Sequence, residues 1–207
     1  MLLDADECQL VLIDYQTRLM PAIADGAAVL ANAVRLARMA QALAIPIAAT
    51  EQNPDKLGAS APELATVLTD ARARVLSKMA FSACAEGLME TLRPTPRKAA
   101  PAGNARSLPK HLQKAVPAAE PVRNTIVIAG VEAHVCLLQT ALELLEEECE
   151  VWVVTDACGS RTDRNRDAAY DRLAGNGAEL VTTEMVAFEW LRSADHPLFH
   201  EIQGLIK

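Results

Sequence analysis

Gln9-Leu10-Val11-Leu12-Ile13-Asp14 decides the fold: a mostly aliphatic run leads straight into a carboxylate. Two other stretches repeat the design. Ala73-Arg74-Val75-Leu76-Ser77 ends at Lys78. Thr125-Ile126-Val127-Ile128-Ala129 leads, through the turn Gly130-Val131-Glu132-Ala133-His134-Val135, to Cys136. Short apolar runs of this kind read as strands buried in a parallel sheet. An open parallel sheet gathers the carboxyl ends of its strands along one edge, and ligands bind there. A carboxylate, an ammonium and a thiol, distant in sequence, are therefore expected in one crevice.

Around these runs, strand-like and helix-like segments alternate. Strands are expected over 9–13, 45–50, 73–77, 125–129, 150–155 and 178–183. Helical spacing over 28–43 puts Val29, Ala33, Leu36, Ala37, Ala40 and Leu43 on one face. Further helices are expected over 62–68, 84–92, 135–147, 163–173, 185–191 and 197–202. The alternation predicts an α/β fold: one domain over residues 1–207, a three-layer sandwich. Its six-stranded parallel sheet carries helices on both faces, with right-handed crossovers. Residues 94–121 break the rhythm with Pro94, Pro96, Pro101, Pro109, Pro117 and Pro121 among several basic side chains. A connection between elements is ordinarily about 2–6 residues, so this stretch reads as an exposed proline-rich insertion.

Composition narrows the function. Half of the chain is hydrophobic (51%) but only 3% is aromatic, so a sizeable core has to be aliphatic. Few aromatics argue against a stacking platform for single-stranded nucleic acid. A net charge of −7 gives no footprint for a phosphate backbone. No nucleic-acid partner is expected, and a small-molecule substrate is. No apolar stretch approaches the roughly 20 residues of a membrane helix. Asp4, Asp6 and Glu7 precede the first apolar run, unlike a signal peptide. The five cysteines (Cys8, Cys84, Cys136, Cys149, Cys158) are odd in number and form no CxxC pair. Free thiols and a cytoplasmic location are the expectation. Glu143, Glu146, Glu147 and Glu148 read as a solvated helix face.

A cysteine attacks as the thiolate, so its pKa is lowered or its proton is taken on demand. Cys136 falls near a helix N-terminus, where the dipole favours an anion. Lys78 adds positive charge, and Asp14 is placed to take the thiol proton and return it to a leaving group. The backbone N–H groups of Glu132 and Cys136 suit an oxyanion. A blander reading stands beside this one: a buried cysteine commonly acts as a small hydrophobe, and charges after strands commonly act as caps.

The runs Leu12-Ile13-Asp14-Tyr15-Gln16, Ser77-Lys78-Met79-Ala80-Phe81-Ser82 and Ala129-Gly130-Val131-Glu132-Ala133-His134-Val135-Cys136 resemble the three signature blocks of the isochorismatase-like (cysteine hydrolase) superfamily. Thr50-Glu51-Gln52-Asn53-Pro54 with Leu57-Gly58, Asp156-Ala157-Cys158-Gly159-Ser160-Arg161, Thr183-Glu184-Met185-Val186-Ala187-Phe188 and His196-Pro197 resemble its isochorismatase domain-containing subgroup. The likeness covers nearly the whole chain outside the insertion. It implies an Asp-Lys-Cys triad with Asp14 as base, Lys78 as electrostatic partner and Cys136 as nucleophile. It also implies a cis peptide between Val131 and Glu132. The implied chemistry is hydrolysis of a C–N amide-type bond through a cysteine thioester. Vinyl-ether hydrolysis and a non-catalytic regulatory member that binds through the insertion remain as alternatives.

Nicotinamidases of the family carry a metal-binding Asp and His after the second strand. Thr50-Glu51-Gln52 offers no histidine there, so neither a metal nor another cofactor is expected. Glu51 and Gln52 either line the pocket or satisfy nearby backbone. Tyr15 and Phe81 suit a pocket wall or the core. His134 reads as a substrate contact, as an alternative base, or as a turn residue with satisfied nitrogens. Asp156 and Arg161 are expected as a structural ion pair or an intersubunit contact. The resemblance further implies a homo-oligomer.

Overall fold

The aliphatic runs form strands, the central ones covered on both faces. In the computed structural model, which describes residues 2–94 and 123–207, these are β1 (Cys8–Ile13), β2 (Ile47–Gln52), β3 (Arg74–Lys78), β4 (Thr125–Gly130), β5 (Glu150–Val154) and β6 (Glu179–Val181). The 94–121 insertion, Pro94 apart, lies outside the described residues. The strands make one six-stranded parallel sheet in the order β3-β2-β1-β4-β5-β6. Every residue of the central strands β1 and β4 is buried. This explains why their sequences show no polar alternation.

The helices are α1 (Gly26–Ala42), α2 (Pro54–Leu57), α3 (Pro62–Asp70), α4 (Leu88–Leu92), α5 (Leu138–Glu146), α6 (Asp163–Gly175), α7 (Thr183–Leu191) and α8 (Phe199–Ile206). Right-handed crossovers set α1 and α3 on one face and α5 and α6 on the other. α1 packs against α3, α7 and α8, while α5 packs against β5 and α6. The expected three-layer architecture is therefore present. No helix among the described residues is long and apolar enough to cross a membrane.

Two helices differ from expectation, and both differences shape the edge where the strands end. The helix expected over 84–92 splits into a 3-10 turn (Cys84–Glu86) and α4. Gly87 between them has φ 96°, a left-handed conformation that costs glycine little. The helix expected from residue 135 starts instead with a π-helical turn, Ala133–Leu137, before α5. Leu137 N–H there reaches back to Glu132 O. Wide turns of this type recur at functional sites, and this one carries Cys136.

The strand order reverses between β1 and β4, the switch point at which open α/β sheets bind ligands. Close approach is needed there. A Cβ on Gly130, the last residue of β4, would collide with Ile13 of β1. Just beyond Ile13, Asp14 takes a left-handed backbone (φ 57°). Aspartate tolerates that conformation better than most residues, and β1 ends at it.

Candidate active site

β1, β2 and β3 each contribute a polar group at the same edge. Register sets Ile13 beside Thr50, and Gln52 beside Lys78. Side chains alternate along a strand, so Thr50 and Gln52 share a face. Thr50 Oγ1 donates to Asp14 Oδ1 at 2.7 Å. Lys78, on the outermost strand, reaches across β2 and sets its Nζ 2.8 Å from Asp14 Oδ2. The same ammonium donates to Gln52 Oε1 at 2.7 Å and to the Phe81 carbonyl at 3.1 Å. Gln52 is itself held, because its Nε2 donates to Met79 O at 2.8 Å. The Asp14 and Lys78 side chains are 0% and 1% exposed. A buried charge needs such partners to stay charged.

Cys136 arrives from the other side of the switch point. Its thiol faces Gln52 Oε1 at 3.9 Å. Burial pushes the thiol up to about 12, the Asp14 charge pushes the same way, and Lys78 opposes them. Burial thus favours the protonated form of the thiol. The helix end and the ammonium do not prevail over burial, so the proton has to be taken on demand.

The turn leading to Cys136 is tied down on both sides. The Val131–Glu132 peptide is cis. Val131 N–H donates to Ile13 O, and Ala133 N–H donates to Gly159 O. Among the described residues the Glu132 N–H between them has no acceptor. The Glu132 carboxylate accepts from Arg161 Nη2 at 2.6 Å, and from Arg161 Nε and backbone N–H at 3.0 Å each. The Arg161 hydrogen bond, the largest influence, holds the Glu132 carboxyl below the usual carboxylate range, against the opposing effect of burial. His134 Nδ1 lies 3.0 Å from Ser160 Oγ, and its Nε2 lies 3.3 Å from Asn165 Nδ2. Both ring nitrogens thus have a polar neighbour within hydrogen-bond reach. His134 is thus a turn residue with both nitrogens satisfied.

Several expected roles change. Tyr15 is 1% exposed and donates its hydroxyl to Ala157 O, so it belongs to the core and not to a pocket wall. Glu51 accepts from Ser60 N–H and Ser60 O–H through Oε1, which makes it a loop fastener. Phe81 is 53% exposed, so core packing does not describe it. Asp156 and Arg161 do not pair with each other. Asp156 accepts from Thr183 N–H and O–H, and Arg161 binds Glu132. Glu143 is not purely solvated, because it accepts from Ser82 Oγ at 2.6 Å and ties the Lys78 loop to α5.

Sequence reasoning missed Thr50 and Gln16 as site residues. Gln16 is fully buried, accepts from Gln52 N–H, and donates to Gln52 O and Gly58 O. The period-2 face shared with Gln52 was the available signal for Thr50. Among the described residues, no group of three or more His, Cys, Asp or Glu is gathered as metal ligands. Two clefts, of about 420 and 310 Å³, lie along α7 with the N-terminal segment and beside the start of α1. Neither is lined by Asp14, Lys78 or Cys136. Convergent buried charges locate reactive chemistry better than open volume does.

Fold and site together define a class: six-stranded parallel α/β proteins with a polar centre at the switch between the first and fourth strands. The chain belongs to the isochorismatase-like hydrolase family, since the family model described as the Isochorismatase domain matches residues 8–100 and 111–185. Isochorismatase domain-containing protein 2A of Mus musculus is 34% identical over 198 residues, covering 96% of this chain and 82% of that protein. The structure of MAR1 ribonuclease from Caenorhabditis elegans superimposes with a TM-score of 0.82 at 29% identity, covering 100% of this chain and 92% of that one. YcaC from Pseudomonas aeruginosa, solved with hexane-2,5-diol and covalent acrylamide, gives a TM-score of 0.80 at 25% identity over 99% of this chain and 91% of that one.

Proposed function

We propose that this family hydrolase cleaves a C–N amide-type bond of a small molecule, with Cys136 as nucleophile, Asp14 as base and Lys78 as electrostatic partner. One observation carries the reading. An Asp14–Lys78 pair shut away from water, 2.8 Å apart, shares Gln52 Oε1 with a neutral thiol. The thiol sulfur adds to the amide carbonyl while its proton passes to Asp14. Asp14 then gives that proton to the nitrogen, the C–N bond breaks, and the amine leaves. Water attacks the resulting thioester, restoring the thiol and releasing the acid. The oxyanion of each tetrahedral stage sits at the Glu132 and Cys136 N–H groups. Lys78 lies 2.8 Å from Asp14 Oδ2 as its electrostatic partner. Exposed Phe81 and the amide of Gln52 border the substrate.

The covalent acrylamide of the Pseudomonas aeruginosa relative supports this, because acrylamide is a primary amide with a thiol-reactive double bond. A charge of −7 and 3% aromatics favour a small molecule over RNA as substrate. The free cysteines suit the cytoplasm. Exposed Val75, Met79 and Phe81 suit a contact between copies in a homo-oligomer. A second reading draws on the neutral thiol: the preformed Asp14–Lys78 pair alone could handle the proton in vinyl-ether hydrolysis.

The test is a panel of small amides, hydroxamates and vinyl ethers, assayed for ammonia or pyruvate release with wild type and Cys136→Ala. Loss of a nucleophilic triad member commonly costs about 10⁴-fold or more in turnover. Amide hydrolysis that persists in Cys136→Ala would refute the thioester route, and ether cleavage that persists would favour the second reading.

A further inference from the structure

Asp14 is the least accessible charge in the site, yet its proposed task needs one oxygen free to take a proton. Two described groups of the second and third strands meet its carboxylate. Thr50 Oγ1, from β2, donates to Oδ1 at 2.7 Å, and Lys78 Nζ, from the end of β3, lies 2.8 Å from Oδ2. Cys136 faces it from the turn after β4, and no other charged group is described against it. Thr50 is 1% exposed, and its hydroxyl makes no other described hydrogen bond. The backbone repeats the tie, since Asp14 N–H donates to Thr50 O at 3.1 Å. Asp14 lies just past the strand in a left-handed conformation, so β1 itself does not fix its side-chain plane.

We infer that Thr50 is a positioning residue for the base: its hydroxyl occupies Oδ1, fixes the carboxylate plane, and leaves Oδ2 as the oxygen that takes the Cys136 proton beside Lys78. The geometry gives Thr50 a task one face-repeat before Gln52 on β2. Thr50 anchors the anion and Gln52 anchors the cation, so one strand clamps both ends of the pair. A hydrogen bond to a carboxylate is short and directional, so it fixes the plane of the acceptor. The inference rests on Asp14 acting as the base.

The probe is p-nitrophenyl acetate, which acylates a thiol with release of p-nitrophenolate and needs no help for its leaving group. The acetyl adduct on Cys136 is followed by mass spectrometry, and the burst by absorbance. Thr50→Val keeps the shape and removes the hydroxyl. It slows acylation about tenfold or more, whereas Thr50→Ser stays within about twofold of wild type, the cost expected for losing or keeping a hydrogen bond to a charged group. The loss falls on the acylation rate at saturation, with the half-saturating ester concentration unchanged. Acylation at the wild-type rate in Thr50→Val overturns the inference, and so does equal slowing in Thr50→Val and Thr50→Ser. Circular dichroism checks folding, and Thr50→Ala replaces Thr50→Val under the same criteria if the latter misfolds. Asp14→Asn separates the two levels. Wild-type acylation in Asp14→Asn removes the base assignment itself. Slow Asp14→Asn beside fast Thr50→Val removes only the role of Thr50.

Discussion

Asp14–Lys78 and Glu132–Arg161 stand on either side of the turn that carries Cys136, and their contact distances are nearly equal at 2.8 and 2.6 Å. Their surroundings are not. The inner pair is 0% and 1% exposed, whereas the Arg161 side chain is 64% exposed over a Glu132 that is 7% exposed. Two charges removed from water are held against a large desolvation cost, and losing one strands the other. A solvated guanidinium gives up little when its partner goes. Similar geometry thus accompanies different surroundings: the inner pair is sealed from water beside the Cys136 thiol, and the outer pair fastens a turn.

The widest separation between the pairs shows at the thiol. Cys136, pushed up to about 12 by burial and Asp14, should react with methyl methanethiosulfonate at pH 7 roughly a thousandfold more slowly than an exposed cysteine of pKa near 8.5. The rate should still be climbing above about pH 9. Lys78→Met should slow it further, and Arg161→Gln should leave it unchanged. Labelling as fast as an exposed thiol at pH 7 would show that the inner pair does not govern the sulfur.

Stability gives the next contrast. Lys78→Ala leaves a buried carboxylate unpaired and should cost about 3–5 kcal/mol in urea unfolding, against a far smaller loss in Glu132→Gln, which leaves only a solvated guanidinium without its charge partner. Replacing the inner pair as a unit, Asp14→Leu with Lys78→Met, should recover most of that loss while turnover stays absent. A double variant no more stable than Lys78→Ala would mean that the pair supports the fold and not only the chemistry.

Acid gives the smallest effect and belongs to the outer pair. Arg161 favours the charged form of Glu132, so the folded chain binds that proton less readily than the unfolded chain does. The contribution is complete above the ordinary glutamate value of about 4.3 and is lost as pH falls through the lower folded value. Thermal unfolding of wild type and Glu132→Gln should therefore converge as pH drops from about 6 to about 3. Curves that stay parallel would contradict this linkage.

The sheet was legible because its strands are aliphatic runs bounded by charges, and burial on both faces demands such runs. Asp14, Lys78 and Cys136 were legible for the same reason, as chemistry-bearing residues at strand ends. Thr50 was overlooked, because threonine in a strand is ordinary and only its shared face with Gln52 marked it. Tyr15 misled because adjacency in sequence stood in for adjacency in space. The Glu132–Arg161 pair spans 29 residues and two loops, and no periodicity links such positions. The wide turn around Cys136 was read as ordinary helix, since one extra residue in a turn leaves the apolar spacing almost intact.

Lys78 comes from the rim of the sheet. β3 pairs only with β2, and most of its residues before Lys78 face solvent. The inner charge pair therefore depends on an edge strand, and fraying of that edge would withdraw the ammonium without disturbing β1 or β4. Anything that zips onto or peels away this margin would move the ammonium that lies beside Asp14, three strands from the one that leads to Cys136.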